Sequence, residues 1–161
     1  MKIKSQLYEL AKQMVQHLNH KELTIAFAES MTGGMLSGYL TEVPNASKVI
    51  KDSIVVYSNQ AKIAILNCDI FNIRKYTVYS EQVIDDMIHG LRKISNADIL
   101  VAISGVAGPD SDEGVKPGHV WMGIYYQGKT YHYKQVFTGN RTSIRNQSII
   151  FIYNEVIFLT S

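Results

Sequence analysis

Leu7, Leu10, Ala11, Met14, Val15 and Leu18 recur at intervals of three and four, which places them on one face of an N-terminal helix. Glu22 to Ala28 is short and apolar and predicts a buried strand. The segment AESMTGG follows, then an apolar helical stretch from Met35 to Leu40 that Pro44 and Asn45 bring to an end. Ile54 to Tyr57 is a β-branched strand, and Ser58 is a good N-cap for a helix over Asn59 to Leu66. Ser80 caps a further helix from Glu81 to about Lys93, whose apolar face is Val83, Ile84, Met87, Ile88 and Leu91. Ala97 to Ile103 predicts another buried strand, and Ser104 to Gly118 a loop rich in glycine and acidic residues. Val120 to Tyr126 and Thr130 to Phe137 flank Gln127-Gly128, the signature of a hairpin. Asn140 or Thr142 then caps a last helix running to about Phe158.

The order is α β α β α α β β β α. Helices alternating with strands, closed by a hairpin, predict an α/β fold: a three-layer α/β/α sandwich with a mixed β-sheet. Ligands in such folds sit at the carboxyl ends of strands, where the segments around Ser30, Tyr57 and Ser104 fall. A length of 161 residues fits a single domain over 1–161 and allows a substantial core. A net charge of +2 gives nucleic-acid binding no support. Cys68 is the only cysteine, which excludes an internal disulfide and a cysteine-based zinc site. No apolar run approaches the ~20 residues of a membrane span, and the N-terminal stretch lacks the pattern of a signal peptide. A reducing cytoplasm is the expected compartment.

Ser30 lies between a strand and a helix, a turn that can expose a hydroxyl beside converging backbone N–H groups. Gly33 and Gly34 remove side chains that would block a ligand, and a helix N-terminus suits a developing oxyanion. Two other readings stay open: Ser30 or Thr32 caps the helix, or the turn binds phosphate. A serine nucleophile needs a base. Of the five histidines, His17, His20 and His89 read as solvated helix residues, His132 as water-facing on a strand, and His119 as the one candidate near a loop. Lys62, near the start of the helix capped by Ser58, is the other candidate, because the helix dipole and burial both favour a neutral amine. Tyr57 could share the proton. An ordinary surface lysine and core tyrosine give the same pattern. Ser104, Gly105 and Gly108 offer close backbone approach to a ligand. Arg141 and Arg145, four apart, form either a phosphate clamp or a solvated basic face.

Taken in order, AESMTGG, VVYSNQAK, SEQV, SGVAGP with a downstream KPG, and GNRTSIR resemble the C-terminal domain family of the competence-damage-inducible protein CinA. Its stand-alone members are nicotinamide-nucleotide amidases, also called NMN deamidases. The resemblance runs roughly from Ala28 to Arg145. It implies hydrolysis of the carboxamide of nicotinamide mononucleotide, with Ser30 as nucleophile and Tyr57 and Lys62 as its partners, and with no metal and no cofactor. It further implies oxyanion binding by the amides of Thr32, Gly33 and Gly34, and a ligand contact at Ser47. The chain departs from the family at Met31, where Cys is usual, at Gln60, where an acidic residue is common, and at Thr77, where Gly is usual. His119 follows Gly118 where Thr is typical, in a loop one residue shorter. The separate N-terminal domain of longer CinA proteins is not expected. The competing readings are a silent CinA-like nucleotide-binding or protein-interaction module, and a serine hydrolase for another small amide. The expected partner is a small-molecule nucleotide, with neither nucleic acid nor membrane. A last helix apolar nearly all round, with Ile149, Ile150, Phe151, Ile152 and Val156, predicts burial against a second subunit and hence a homo-oligomer.

Overall fold

A computed structural model describes the backbone of residues 2–161. Its elements run α1 (Lys2–His20), β1 (Ile25–Glu29), α2 (Met35–Thr41), a 3-10 turn (Ala46–Lys48), β2 (Ile50–Val55), α3 (Asn59–Leu66), α4 (Ile70–Tyr76), α5 (Glu81–Ile94), β3 (Ile99–Gly105), β4 (His119–Tyr126), β5 (Lys129–Val136) and α6 (Arg141–Leu159). The expected order holds, with one helix added: α4, a short element capped by the Asp69 carboxylate, which accepts from the Phe71 amide. Seven residues carry too little periodicity to announce a helix. The strand expected at Ile54 begins earlier, at Ile50, because residues 50–55 alternate half-buried and exposed positions as an edge strand does.

The sheet order is β2-β1-β3-β4-β5. β1 pairs in parallel with both β2 and β3, and β4 runs antiparallel to β3 and β5. All five residues of β1 are buried, as a central parallel strand covered on both faces requires. Alternation sorts the central strands between two cores. Ile25, Phe27, Val101 and Ile103 pack with α1, α2 and α6 on one face. Ala26, Ala28, Leu100 and Ala102 pack with α3, α4 and α5 on the other. The α3–α5 contact is tight enough that a Cβ on Gly90 would stand 2.1 Å from the Leu66 carbonyl oxygen, so glycine is required there.

Helix α6 buries Ile144, Ile149, Ile152, Tyr153 and Val156 within the chain's own core, against α1 and the sheet. Phe158 remains exposed. His17 is not simply solvated either: its Nε2 lies 2.8 Å from Thr160 Oγ1 and ties α1 to the end of α6. His132 does not face open water. Its Nε2 is 2.6 Å from Asp85 and its Nδ1 is 3.8 Å from Glu81, a contact between β5 and the start of α5. No helix among the described residues is long and apolar enough to cross a membrane.

Candidate active site

The alternation of β1 continues past its end. Ala26 and Ala28 face the α3–α5 side, and Ser30 is next on that face. Lys62 comes to meet it from α3, where Ser58 Oγ accepts from the Ala61 amide and sets the first turn. Lys62 Nζ lies 2.9 Å from Ser30 Oγ and 3.1 Å from the Val56 carbonyl oxygen. The lysine is 1 % exposed and the serine 7 %.

Burial pushes the Lys62 ammonium below the ordinary lysine range, against a weaker opposing pull from Cys68 and Glu113. Glu113 supplies, from the loop after β3, a carboxylate influence of the kind that Gln60 omits from α3. Cys68 is buried and remains a thiol, pushed up to about 12 by burial and then by Asp86. Two acceptors face Lys62 Nζ among the described residues. An ammonium would have three donors for them. A neutral amine can donate to Val56 and accept the Ser30 hydroxyl with its lone pair, so the surroundings suit the neutral form.

The turn after Ser30 is built differently from the expectation. Glu29, fully buried, accepts from the amides of Gly34 and Leu36 through one carboxylate oxygen, and from the Ser37 amide and hydroxyl through the other. The positive end of α2 is therefore taken up by Glu29. Gly33 donates its N–H to the Ser30 carbonyl. Neither Gly33 nor Gly34 is free to hold an oxyanion. Their function is conformational, with φ of 59° and 92°. Among the described residues, the amides of Met31, Thr32, Ala107 and Gly108 have no acceptor. Three of these residues, Met31, Ala107 and Gly108, line the cleft outside Ser30. The Thr32 hydroxyl is buried without a partner.

The two arginines part in function: Arg145 is half-buried and Arg141 exposed, and both donate to groups of the chain. Arg145 donates from Nε to the Met31 carbonyl at 3.0 Å and from Nη2 to the Thr32 carbonyl at 2.8 Å, bracing the nucleophile turn. Arg141 donates to the Gly108 carbonyl at 2.8 Å and to the Tyr57 hydroxyl at 2.9 Å. Tyr57 is not a core tyrosine: it is 60 % exposed on the rim of the cleft. Because the guanidinium donates into its oxygen, the phenolic O–H is left to donate elsewhere. Ser30, Tyr57, Gly105, Gly108 and Arg141 thus share one cleft of about 250 Å³, with Asp110 and Asp112 on its wall. Gly105 has no room for a side chain, since a Cβ would lie 2.6 Å from Met31 Sδ and 2.8 Å from the His119 carbonyl oxygen.

Two expected contacts fall outside this cleft. Ser104 is completely buried on β3, its hydroxyl unpartnered, and does not reach the opening. Ser47 is exposed on the 3-10 turn that precedes β2. Ile25 pairs with Ile50 at the start of two parallel strands, so Ser47 lies at the end of the sheet opposite Ser30. Glu29 is the residue shaping this turn that the pattern concealed. The signal for it was a carboxylate closing an otherwise apolar run directly before a helix start.

The sequence model described as "CinA C-terminal domain" matches residues 7–157. The chain belongs to the CinA C-terminal domain family. A CinA-like protein of Petrotoga mobilis is 42 % identical over 137 residues, 84 % of this chain and 34 % of the relative. A CinA-like protein of Thermotoga neapolitana is 43 % identical over 137 residues, again 84 % of this chain and 33 % of the relative. This chain therefore spans about a third of the length of the curated relatives it matches. Among solved structures, a competence-damaged protein (CinA) superfamily protein from Klebsiella pneumoniae superposes with a TM-score of 0.92 at 26 % identity, covering 96 % of this chain and 97 % of that one. In this chain the turn after β1, Tyr57 before α3 and the loop after β3 surround one opening.

Proposed function

We propose that this CinA domain hydrolyses the carboxamide of nicotinamide mononucleotide to nicotinate mononucleotide and ammonia through an acyl-Ser30 intermediate. The observation that carries the reading is the buried contact of 2.9 Å between Lys62 Nζ and Ser30 Oγ, a nucleophile with a base within reach. Neutral Lys62 takes the Ser30 proton as Oγ bonds to the carboxamide carbon. The carbonyl oxygen becomes an oxyanion beside the unpaired amides of Met31, Ala107 and Gly108. As the C–N bond breaks, the Lys62 ammonium returns its proton to nitrogen and ammonia leaves. Lys62 then removes a proton from water, hydroxide attacks the ester carbon, and Ser30 regains its proton as the acid departs. Tyr57, its oxygen held by Arg141, donates its O–H to the substrate and is not the base.

The volume of about 250 Å³ is below the roughly 300–1,000 Å³ of pockets that enclose drug-sized ligands, which suits one amide-bearing ring with the rest of the molecule outside. The test is incubation with nicotinamide mononucleotide, reading ammonia and nicotinate mononucleotide in equal amounts. Product above a no-enzyme control supports the reading. No product from folded protein overturns it and leaves a CinA-like module without this turnover.

A further inference from the structure

Beyond Tyr79, which forms a wall of the Ser30 cleft, lies a second and larger opening of about 490 Å³. Trp121 is part of its lining, and Lys116, His119 and Lys134 surround it. None of its lining residues is acidic, whereas Asp110 and Asp112 stand in the Ser30 cleft. Among the described residues, neither Lys116 nor Lys134 has a carboxylate within ion-pair distance. Lys134 instead lies over the Trp121 ring, 5.6 Å from its centroid, in the cross-strand position opposite it. His119 Nδ1 is 3.0 Å from the Lys116 carbonyl oxygen, an acceptor only, so Nδ1 carries the proton and Nε2 presents an acceptor lone pair to the opening. Tyr79 is fixed between the two openings by the hydrogen bond of its hydroxyl to Asp112.

We propose that this opening is the phosphate subsite: the phosphate of a nucleotide whose amide lies at Ser30 passes Tyr79 and is bound by Lys116 and Lys134, with its sugar against Trp121 and His119. The inference rests on the nucleotide-amidase reading. Three observations direct it here and not to the arginines. Arg145 is committed to two backbone carbonyls, Arg141 to Gly108 and Tyr57, and the carboxylates of the first cleft would repel a dianion. Lysines suit a phosphate as compact cations on flexible stems, and the absence of paired carboxylates leaves their charge available.

Trp121 is the only tryptophan, so its fluorescence reads this opening directly and independently of turnover. The experiment titrates Ser30→Ala, which cannot consume substrate, with nicotinamide mononucleotide and separately with its phosphate-free riboside. Lys116→Gln is then introduced alone and together with Lys134→Gln. The expected result is saturable quenching by the mononucleotide, at least tenfold tighter than by the riboside. Each lysine replacement should weaken the mononucleotide about tenfold and the riboside less than twofold. Equal affinity for both ligands, or equal weakening of both by the replacements, overturns the subsite. The two readings fail separately. Ammonia release by the parent with a mononucleotide KM unmoved by Lys116→Gln defeats the subsite alone. Phosphate-selective quenching without ammonia release defeats the amidase reading alone.

Discussion

Replacing Glu29 by Gln is the sharpest perturbation of the nucleophile turn, because it changes one atom and leaves the volume intact. The carboxylate accepts from three backbone amides and one hydroxyl. A glutamine must turn its NH₂ toward one pair of donors. Facing Gly34 and Leu36, it would orphan two amides. Facing Ser37, it orphans one, since the Ser37 hydroxyl can rotate to Gly34 O, 3.2 Å away, and accept from the new amide. The second arrangement is the cheaper. It loses one hydrogen bond to a charged acceptor, worth about 1.5–3 kcal/mol, and weakens the two that remain. The expected destabilisation is about 3 kcal/mol, which for a chain of this length lowers Tm by roughly 6–12 °C. Thermal unfolding followed by circular dichroism measures it. Amide hydrolysis should fall as well, because Ser30 is the neighbouring residue on a loosened turn. A Tm within 1 °C of the parent would refute the assignment of Glu29 as the cap that shapes the turn.

Arg145→Ala removes two hydrogen bonds from a charged donor to the Met31 and Thr32 carbonyls, so stability should drop by about 2–4 kcal/mol. Its effect on KM should be equal for phosphorylated and phosphate-free substrates, as measured by steady-state ammonia release. Thr77 ends α4 with φ 65° and ψ 170°, a region that is essentially glycine's. Thr77→Gly should therefore raise stability by about 1 kcal/mol in chemical denaturation, net of glycine's greater entropy loss. Lys62 has a native pKa below its unfolded value of 10.5, so the unfolded chain binds the extra proton and stability rises with pH between the lowered value and 10.5. Lys62→Met should abolish that slope in denaturation curves and make the protein more stable at neutral pH while inactive, and the parent's kcat/KM should rise with pH as Lys62 loses its proton.

Period-two and helical patterning carried the architecture because most elements bury one clear face. β1 and β3 read as apolar runs since helices cover both their sides. Helix α4 escaped because its seven residues bury only Ile73. At the site, the strand-turn-helix position of Ser30 and the capped start of α3 were legible locally, and their meeting at 2.9 Å is a tertiary fact. The roles of the glycines and arginines were not legible. A glycine next to a nucleophile reads equally as an open amide or as a positive-φ hinge, and Gly33 and Gly34 are hinges. An arginine pair at a helix start reads as an anion clamp until its acceptors are known, and here they are backbone carbonyls. Ser47, offered by the resemblance alone, precedes β2 and so stands at the end of the sheet away from Ser30, a placement that the order of motifs does not specify.

The central claim is that Ser30 attacks the amide and Lys62 takes its proton. The direct measurement is the ammonia-release rate from nicotinamide mononucleotide for the parent and Ser30→Ala, on samples with matched unfolding transitions. Loss of a nucleophile that acts as one unit with its base should lower kcat by at least ~10³. A Ser30→Ala protein that keeps its fold and hydrolyses within tenfold of the parent would contradict the account.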